Sequence, residues 1–226
     1  MKKSRAEVRI VCISDTHGFH RALKIPPGDI FIHAGDLLPD ANQAEMLADF
    51  NDWLATLPFR HRIVIAGNHD WIFEKTPNKA RKILTNAVYL EHSGVRLSGL
   101  NFWGCPVTPI DKWMAFAVEC DKTSRKYWDN MPTGTDVLIT HGPPAKILDR
   151  GQFQSSNQGS HELNRAVLRV KPRLHVFGHI HGGYGLETGP YGISFVNCAS
   201  LQWLGGDDIL LRPPVMVRLN SKAITR

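Results

Sequence analysis

Residues 8–18, VRIVCISDTHG, begin as a largely β-branched apolar run and end in small and polar side chains. A short apolar run of this kind, bounded by polar residues, is typical of a buried β-strand. The polar residues include Asp15 and His17, an oxygen donor and an imidazole donor two positions apart. This stretch therefore predicts a strand that presents two potential metal ligands at its carboxyl end.

The same change from apolar to polar residues occurs at four further places in the chain. Each is a short run rich in Val, Ile, Leu or Phe that leads into glycine, histidine, asparagine or aspartate. Open α/β sheets bind their ligands outside the carboxyl ends of their strands, so we expect the polar segments to meet at one sheet edge. The four runs with their polar ends are residues 29–36, 62–70, 136–144 and 174–181.

Amphipathic segments between these runs predict helices. Ser160 is a candidate N-cap, and Leu163, Val167 and Leu168 are predicted to form the buried face of the helix that follows it. The predicted helices cover residues 41–57, 79–84 and 160–170. Short strands are predicted within residues 88–106 and at 193–197 and 215–219.

The remaining long segments, residues 109–132 and 145–159, are predicted to be loops that contact substrate or close over it. Mixed strands and helices of this kind pack best as two sheets face to face with helices outside. The sequence thus predicts an α/β (α+β) fold, and its length predicts a single domain over residues 1–226.

The net charge of +6 predicts a surface that attracts anions. This charge suits a phosphate-bearing substrate, nucleic acid or an acidic membrane face, but an ordinary solvated basic surface is the alternative. The densest basic clusters, at residues 2–5 and 79–82, are too short to form a nucleic-acid-binding arm. A small phosphoester or nucleotide is therefore the favoured partner, and nucleic acid is the less favoured one.

The cysteines and the apolar segments bear on location. Four cysteines are widely spaced and predict reduced thiols, with neither a disulfide framework nor a zinc knuckle. There is no apolar targeting segment after the basic start, and no stretch approaches the roughly 18 apolar residues that span a bilayer. We therefore expect a cytoplasmic protein with no membrane partner. The oligomeric state is not indicated.

Seven side chains at the predicted strand ends are potential metal ligands. A carboxylate such as Asp36 has two oxygens and can bridge two ions, while the amide oxygen of Asn68 completes a site without adding charge. A mixed nitrogen and oxygen set without cysteine favours Mn, with Fe, Zn, Ni or Co as alternatives, over Ca or Mg. The seven ligands are Asp15, His17, Asp36, Asn68, His141, His179 and His181.

Charge counting favours hydrolysis. Two divalent ions offset by Asp15, Asp36 and one hydroxide leave a net charge of about +1, which favours an anionic phosphoryl group. Ions about 3.5 to 4 Å apart would lower the pKa of a bridging water, whose hydroxide then attacks in line. His69 is placed to stabilise developing charge or to protonate the leaving oxygen. Asp70 is predicted to orient the His69 ring, with an exposed turn carboxylate as the alternative.

One Asp-x-His or His-x-His alone occurs often by chance, so the prediction depends on the whole ordered set. Glycines beside four of the clusters allow the backbone to turn tightly there. A purely structural strand end would not require this. The four glycines are Gly18, Gly35, Gly67 and Gly178.

The five segments together resemble the five-block signature of calcineurin-like metallophosphoesterases. Within that superfamily, the blocks at residues 33–36, 140–144 and 174–185 and the segment 197–200 resemble the metallophosphoesterase-domain-containing branch, related to class III cyclic nucleotide phosphodiesterases. The resemblance covers residues 15–181, and no metal-binding position departs from the pattern.

The resemblance implies a four-layer αββα sandwich. It also implies that one ion is held by Asp15, His17, Asp36 and His181, and the other by Asp36, Asn68, His141 and His179. Some animal members of the branch lack the histidine that matches His179 and have weak activity, so its presence here implies a competent site. Protein serine/threonine phosphatases carry Gly-Asp-x-x-Asp-Arg-Gly, which residues 35–40 do not match, and this counts against phosphoprotein substrates.

Three hypotheses about function follow. The first is a phosphodiesterase acting on cyclic nucleotides or small diesters; the second is a nuclease or a nucleic-acid or nucleotide phosphatase; the third is a nucleotide-binding scaffold with little turnover. Aromatic side chains are more often packing than recognition elements. With that alternative open, the candidates for stacking against a base are Phe19, Trp113, Phe116 and Phe153.

Overall fold

The computed structural model describes residues 7–110, 113–151, 157–205 and 208–220. The strands are β1 Glu7–Ile13, β2 Ile30–Ala34, β3 His61–Ile65, β4 Val88–Tyr89, β5 Ser93–Leu97, β6 Leu100–Cys105, β7 Thr108–Pro109, β8 Ala117–Val118, β9 Val137–Thr140, β10 Leu174–Phe177, β11 Gly185–Thr188, β12 Ser194–Asn197, β13 Leu201–Gly205, β14 Asp208–Leu211 and β15 Val215–Asn220. The α-helices are α1 Gln43–Thr56, α2 Trp71–Lys75, α3 Pro77–Ile83, α4 Asp121–Trp128 and α5 His161–Val170.

Two mixed sheets form the centre of the fold. The first has the order β15-β1-β2-β3-β4, in which β1 to β4 are parallel and β15 is antiparallel to β1. The second has the order β11-β12-β10-β9-β6-β5, with β12, β10, β9 and β6 parallel. Parallel strands point their carboxyl ends the same way, so each sheet gathers its loops at one edge.

Apolar side chains from both sheets pack against each other and form the middle of the molecule. Ile10, Ile32 and Ile63 of the first sheet belong to the same buried cluster as Ile139 and Val176 of the second. Successive side chains of a strand point to opposite faces, so the neighbours of these residues face outward onto helices. The observed layers are therefore helix, sheet, sheet and helix, as predicted.

Each outer helix layer covers its sheet with an apolar stripe. On the first sheet, Phe50 and Trp53 of α1 pack near Phe31 of β2. On the second sheet, α5 packs through Leu163 and Val167. Complete burial of one such side chain contributes on the order of 1.5–3 kcal/mol.

The helix after Ser160 forms as predicted, but its buried face differs from the predicted one. The Ser160 hydroxyl accepts a hydrogen bond from Leu163 N at 2.9 Å, which confirms the N-cap. Leu168, assigned to the buried face, is exposed, whereas Ala166 and Val170 are buried. The helix has apolar residues on more than one side, so spacing alone did not fix its orientation.

The prediction of a long loop over residues 109–132 is wrong in part, because α4 lies within it. Its buried residues are Ser124 and Trp128, and Trp128 Nε1 donates to Ser124 Oγ at 2.7 Å. So few apolar positions leave almost no periodic signal in the sequence. In the segment 145–159, residues 152–156 lie outside the described part of the chain.

All four cysteines carry free thiols, and three of them are buried. Among the helices of the described ranges, none combines the length and apolar character needed to cross a membrane.

Candidate metal centre

The seven predicted ligands follow the carboxyl ends of five parallel strands. Two come after β1, one each after β2, β3 and β9, and two after β10. Because the two sheets face each other, the loops from both sheets meet at the same end of the sandwich. The structure brings all seven side chains together there, in two neighbouring groups.

The first group contains Asp15, His17 and His181. One potential ligand atom from each lies within 4.8 Å of the others. His181 Nε2 is 3.3 Å from Asp15 Oδ1, and the rings of His17 and His181 are 5.7 Å apart. Asp15 also accepts a hydrogen bond from the backbone amide of His179 at 2.9 Å, which fixes the orientation of its carboxylate.

The second group contains Asp36, His141 and His179, again with one ligand atom each within 4.8 Å. His141 Nε2 is 3.3 Å from Asp36 Oδ2 and 2.9 Å from Asn68 Oδ1, so Asn68 belongs to this group. Asp36 Oδ2 is also 3.8 Å from His17 Nε2 of the first group. Asp36 thus lies between the two groups, the position that a bridging carboxylate requires.

The acidic groups of the site are held ionised by their neighbours. Burial by itself would raise the pKa of Asp15, but the hydrogen bond and charge of His181 outweigh it and lower that pKa. Burial likewise opposes the ionised form of Asp36, and the charge of His141 reverses the effect and holds its pKa well below the ordinary value. Two carboxylates therefore remain negative in a buried place, where they favour cations.

The two histidines of the second group have pKa values shifted in opposite directions. Burial would lower the pKa of His141, but the charge of Asp36 raises it to about 9. His141 Nδ1 faces the backbone carbonyl of Ala34 at 2.9 Å. Burial, aided by the charge of His141, lowers the pKa of His179 to about 4, so that ring is neutral.

These contacts test whether the site suits a metal ion. Around His141 Nε2, the oxygens of Asp36 and Asn68 both point toward the same small volume. Oxygen acceptors that converge in a buried place need either a proton or a cation between them. Since the Ala34 carbonyl takes the proton on Nδ1, Nε2 is the nitrogen available to a metal. The donors therefore fit divalent ions that accept imidazole and carboxylate.

Backbone strain is concentrated at the ligands. Four of the seven have a positive φ: 52° at Asp15, 41° at His17, 54° at Asp36 and 65° at His179. Non-glycine residues seldom adopt this region, which costs of order 1–3 kcal/mol at each position, and such residues cluster at functional sites. The fold maintains these conformations because they turn the side chains inward.

Glycine is required beside the ligands mainly because ligand side chains pass close to the Cα atoms at these positions. Gly35 has a φ of +99°, and a Cβ there would also meet the ring of His141. A Cβ at Gly178 would collide with the carboxylate of Asp15 and the hydroxyl of Ser14. A larger residue does not fit at either position without displacing a ligand side chain.

The prediction that Asp70 orients the His69 ring is wrong. Asp70 is completely buried, and it accepts hydrogen bonds from three backbone amides, those of Leu37, Leu38 and Gly67. It is therefore not an exposed turn carboxylate either. Burial, followed by the charge of Asp36, raises its pKa to about 7. Asp70 braces the two loops that carry Asp36 and Asn68.

The residue that contacts the His69 ring is Asp40, through its Oδ1 at 2.8 Å from Nδ1. The His69 amide donates to Asp36 Oδ1 at 2.8 Å, so His69 is tied to the ligand set by its backbone. Its ring lies 5.0 Å from that of His17. No local pattern in the sequence pairs Asp40 with His69, because the two residues are 29 positions apart.

A pocket of about 750 Å³ opens above these groups. Its floor includes His17, Asp36 and His179, and its walls are largely apolar. Among the aromatic residues predicted to stack against a base, Phe19 and Trp113 line the pocket, Phe116 is buried in the core, and Phe153 lies outside the described residues. The sequence did not indicate Trp71, Ile110, Met114 or Trp203, which also line it.

Comparison with protein families gives a match over residues 8–183 to the family described as calcineurin-like phosphoesterase. Metallophosphoesterase domain-containing protein 1 of Homo sapiens is 38% identical over 202 residues, which are 79% of this chain and 62% of that protein. The matched region thus spans less than two thirds of that relative.

UPF0046 protein K07C11.7 of Caenorhabditis elegans is 32% identical over 222 residues, covering 92% of this chain and 74% of that protein. Among solved structures, TT1561 of Thermus thermophilus superimposes with a TM-score of 0.59 at 16% identity, covering 86% of this chain and 90% of the other. At that identity, the superposition shows a common fold.

Proposed function

The chain belongs to the calcineurin-like phosphoesterase family of metal-dependent phosphoester hydrolases, and on that premise we propose that it is a dinuclear phosphodiesterase acting on cyclic nucleotides or other small phosphodiesters. One observation carries the proposal most directly. Two groups of buried carboxylate and imidazole donors lie side by side beneath a single pocket, with Asp36 between them.

Asp15, His17, Asp36 and His181 would hold one ion, and Asp36, Asn68, His141 and His179 the other. When bound, two such ions supply Lewis acidity and lower the pKa of a coordinated water. Of the ions that this donor set admits, we propose Mn²⁺, with Fe, Zn, Ni and Co as alternatives. Ca²⁺ and Mg²⁺ are disfavoured by the number of imidazole donors.

His69 has a different role from the ligands. Its Nδ1 faces Asp40, so Nε2 is the ring nitrogen left for the substrate. His69 lines the pocket, and in its doubly protonated form Nε2 can donate a proton to the leaving oxygen or a hydrogen bond to a phosphoryl oxygen while Nδ1 donates to Asp40. Asp40 positions the ring by accepting from Nδ1.

The charge of the pocket bears on the nuclease alternative. Among its described lining residues there is neither lysine nor arginine, although the whole chain has a net charge of +6. Nucleic-acid binding depends on neutralising several backbone phosphates and is strongly salt-dependent. A pocket whose positive charge would come from the metal ions alone is better suited to a small monoanionic diester than to a polyanion.

The test uses three variants beside the wild type, loaded with Mn²⁺. We expect the wild type to hydrolyse bis(p-nitrophenyl) phosphate or a 2′,3′- or 3′,5′-cyclic nucleotide. Asp36→Ala and His141→Ala should abolish both activity and metal content, because each removes a buried ligand. His69→Ala should retain the metal and lose about 10²- to 10⁴-fold in kcat.

Metal analysis of each sample beside its rate separates these outcomes. Absence of hydrolysis of all three substrate types by a fully loaded wild type would remove the phosphodiesterase proposal. Nucleotide binding that survives both His69→Ala and metal removal would favour the scaffold hypothesis. Binding to DNA or RNA that weakens steeply with salt would favour the nuclease.

A further inference from the structure

Two exposed indoles face the pocket from separate parts of the chain. Trp113 is 72% exposed and lies between β7 and β8, and Trp203 is 48% exposed and lies on β13 of the β13-β14 hairpin. Isolated exposed apolar residues are common on protein surfaces. Two tryptophans that line the same cavity as the metal ligands are not isolated, and neither belongs to the buried hydrophobic clusters of the described residues.

Other large apolar side chains line the same cavity. Phe19, which is 43% exposed, and Ile110, Met114 and Trp71 line the same cavity. The polar lining residues are five of the metal ligands, His17, Asp36, Asn68, His179 and His181, together with His69 and the exposed Asp40. The other described lining residues offer flat apolar surface, and their side-chain polar atoms are the indole N–H groups of the tryptophans.

We infer that Trp113 and Trp203 form a stacking subsite for a planar aromatic substituent of a singly charged phosphodiester, the chemistry that a nucleobase provides. This inference rests on the proposed function and narrows its substrate class. Stacking on an indole requires only a π-face, so the subsite accepts each of the four common bases. The aromatic substituent stacks there, while the metal ligands of the same pocket bind the phosphoryl group.

The side chains that line the cavity limit the negative charge that a substrate can carry. With neither lysine nor arginine among the described lining residues, a further phosphate on the substrate would find no side-chain partner there. Asp40, at the same rim, would repel it. The preferred substrate therefore carries one phosphodiester and no additional terminal phosphate.

The experiment compares two substrates that have the same reacting ring. One is adenosine 2′,3′-cyclic phosphate, and the other is methyl β-D-ribofuranoside 2′,3′-cyclic phosphate, in which methoxy replaces the base. The corresponding 3′,5′-cyclic pair is measured alongside, and hydrolysis is followed by ³¹P NMR. We expect the wild type to favour the base-bearing compound by about tenfold or more in kcat/KM, chiefly through KM.

Trp113→Ala and Trp203→Ala should each reduce that preference severalfold, because the loss of kcat/KM falls mainly on the base-bearing compound. Trp113→Phe and Trp203→Phe should keep most of the preference, because a phenyl ring also stacks. Tyr191→Ala is the matched control: Tyr191 is 70% exposed and does not line the pocket, so its loss should not change the preference. Circular dichroism and metal content confirm that each variant is folded and loaded.

The outcomes distinguish the two proposals. If the loaded wild type hydrolyses neither compound in either series and does not hydrolyse bis(p-nitrophenyl) phosphate, the proposed function fails and the subsite is overturned with it. If it hydrolyses bis(p-nitrophenyl) phosphate but none of the cyclic compounds, the subsite alone is overturned. If the wild type hydrolyses both compounds equally well, or if both alanine variants keep the full preference, the subsite alone is overturned. A preference for one base over the other three by much more than tenfold would also contradict it, since stacking does not read base edges.

Discussion

Asp40 Oδ1 lies 2.8 Å from Nδ1 of His69, although Asp70 is the aspartate next to His69 in the sequence. The two residues are 29 positions apart and come from the loops after β2 and β3. These strands are neighbours in the first sheet, so their loops lie side by side. Asp40 is therefore the group that determines which nitrogen of His69 faces the substrate.

From this contact we expect Asp40→Asn to lower kcat by about tenfold with little change in KM or metal content. The amide can present either an oxygen or an NH₂ group to Nδ1, so it orients the ring less strictly than the carboxylate does. Asp129→Asn is the control, since Asp129 is similarly exposed, 59% against 71% for Asp40, and pairs with Arg125 instead. Steady-state rates decide the matter, and a wild-type kcat in Asp40→Asn would refute the positioning role.

Asp70→Asn should lower the free energy of unfolding by about 1–3 kcal/mol. The reason is that the NH₂ group of the new amide is a donor, and it would lie among three backbone N–H donors. It should also weaken metal binding, since the loops of Asp36 and Asn68 lose their common brace. Chemical denaturation and metal titration measure the two effects. Asp52→Asn, an exposed position on α1, serves as the control and should leave both quantities unchanged. A normal metal affinity in Asp70→Asn would show that the brace is dispensable.

Gly178→Ala should displace Asp15, because the added Cβ would occupy the space of its carboxylate. The expected cost is about 1–3 kcal/mol of stability together with a loss of metal affinity. Gly142→Ala is a close control: Gly142 also adjoins a ligand, but its Cβ would meet only the Thr108 methyl group at an ordinary 3.4 Å. Equal metal binding in the two variants would contradict the packing argument.

The metal-free protein should lose stability as the pH falls below about 6.5, in part because of His175. Burial lowers the pKa of His175 to about 3 in the folded chain, from 6.5. Above pH 6.5 the ring is neutral in both states. Between 6.5 and 3 only the unfolded chain takes up the proton, so stability falls by up to about 1.4 kcal/mol per pH unit.

His175→Gln keeps a neutral partner for Thr140, whose hydroxyl lies 2.8 Å from His175 Nε2, but it does not titrate. Its unfolding free energy, measured by denaturant titration with a chelator present, should therefore fall less steeply than that of the wild type between pH 7 and 5. Identical slopes would show that His175 does not contribute.

Local patterns were sufficient to predict the strands that carry the ligands. The apolar run Val8 to Ile13 lies in β1, Glu7–Ile13, and the run Leu174 to Phe177 is β10, Leu174–Phe177. Strand direction predicted that the ligands of each sheet lie at one edge, but the grouping of Asp15 with His181, 166 positions later, was implied by the family resemblance, because β1 and β10 belong to different sheets.

Other features depend on contacts between distant segments and had no local signal. Asp70 is buried because three amides of two loops surround it, and nothing in its neighbourhood in the sequence shows this. Trp203 lines the pocket because a hairpin after β12 reaches over the site. Leu168 was placed on the wrong face because the apolar residues of α5 are not confined to one stripe.

The proposed function depends on two divalent ions held by seven side chains. Anomalous diffraction from crystals grown with Mn²⁺ measures directly whether these ions are bound. We expect two strong peaks at the base of the pocket, one contacted by Asp15, His17 and His181 and the other by Asn68, His141 and His179, with Asp36 touching both. A map without a peak at this site, or with ions bound only elsewhere on the surface, would contradict the account.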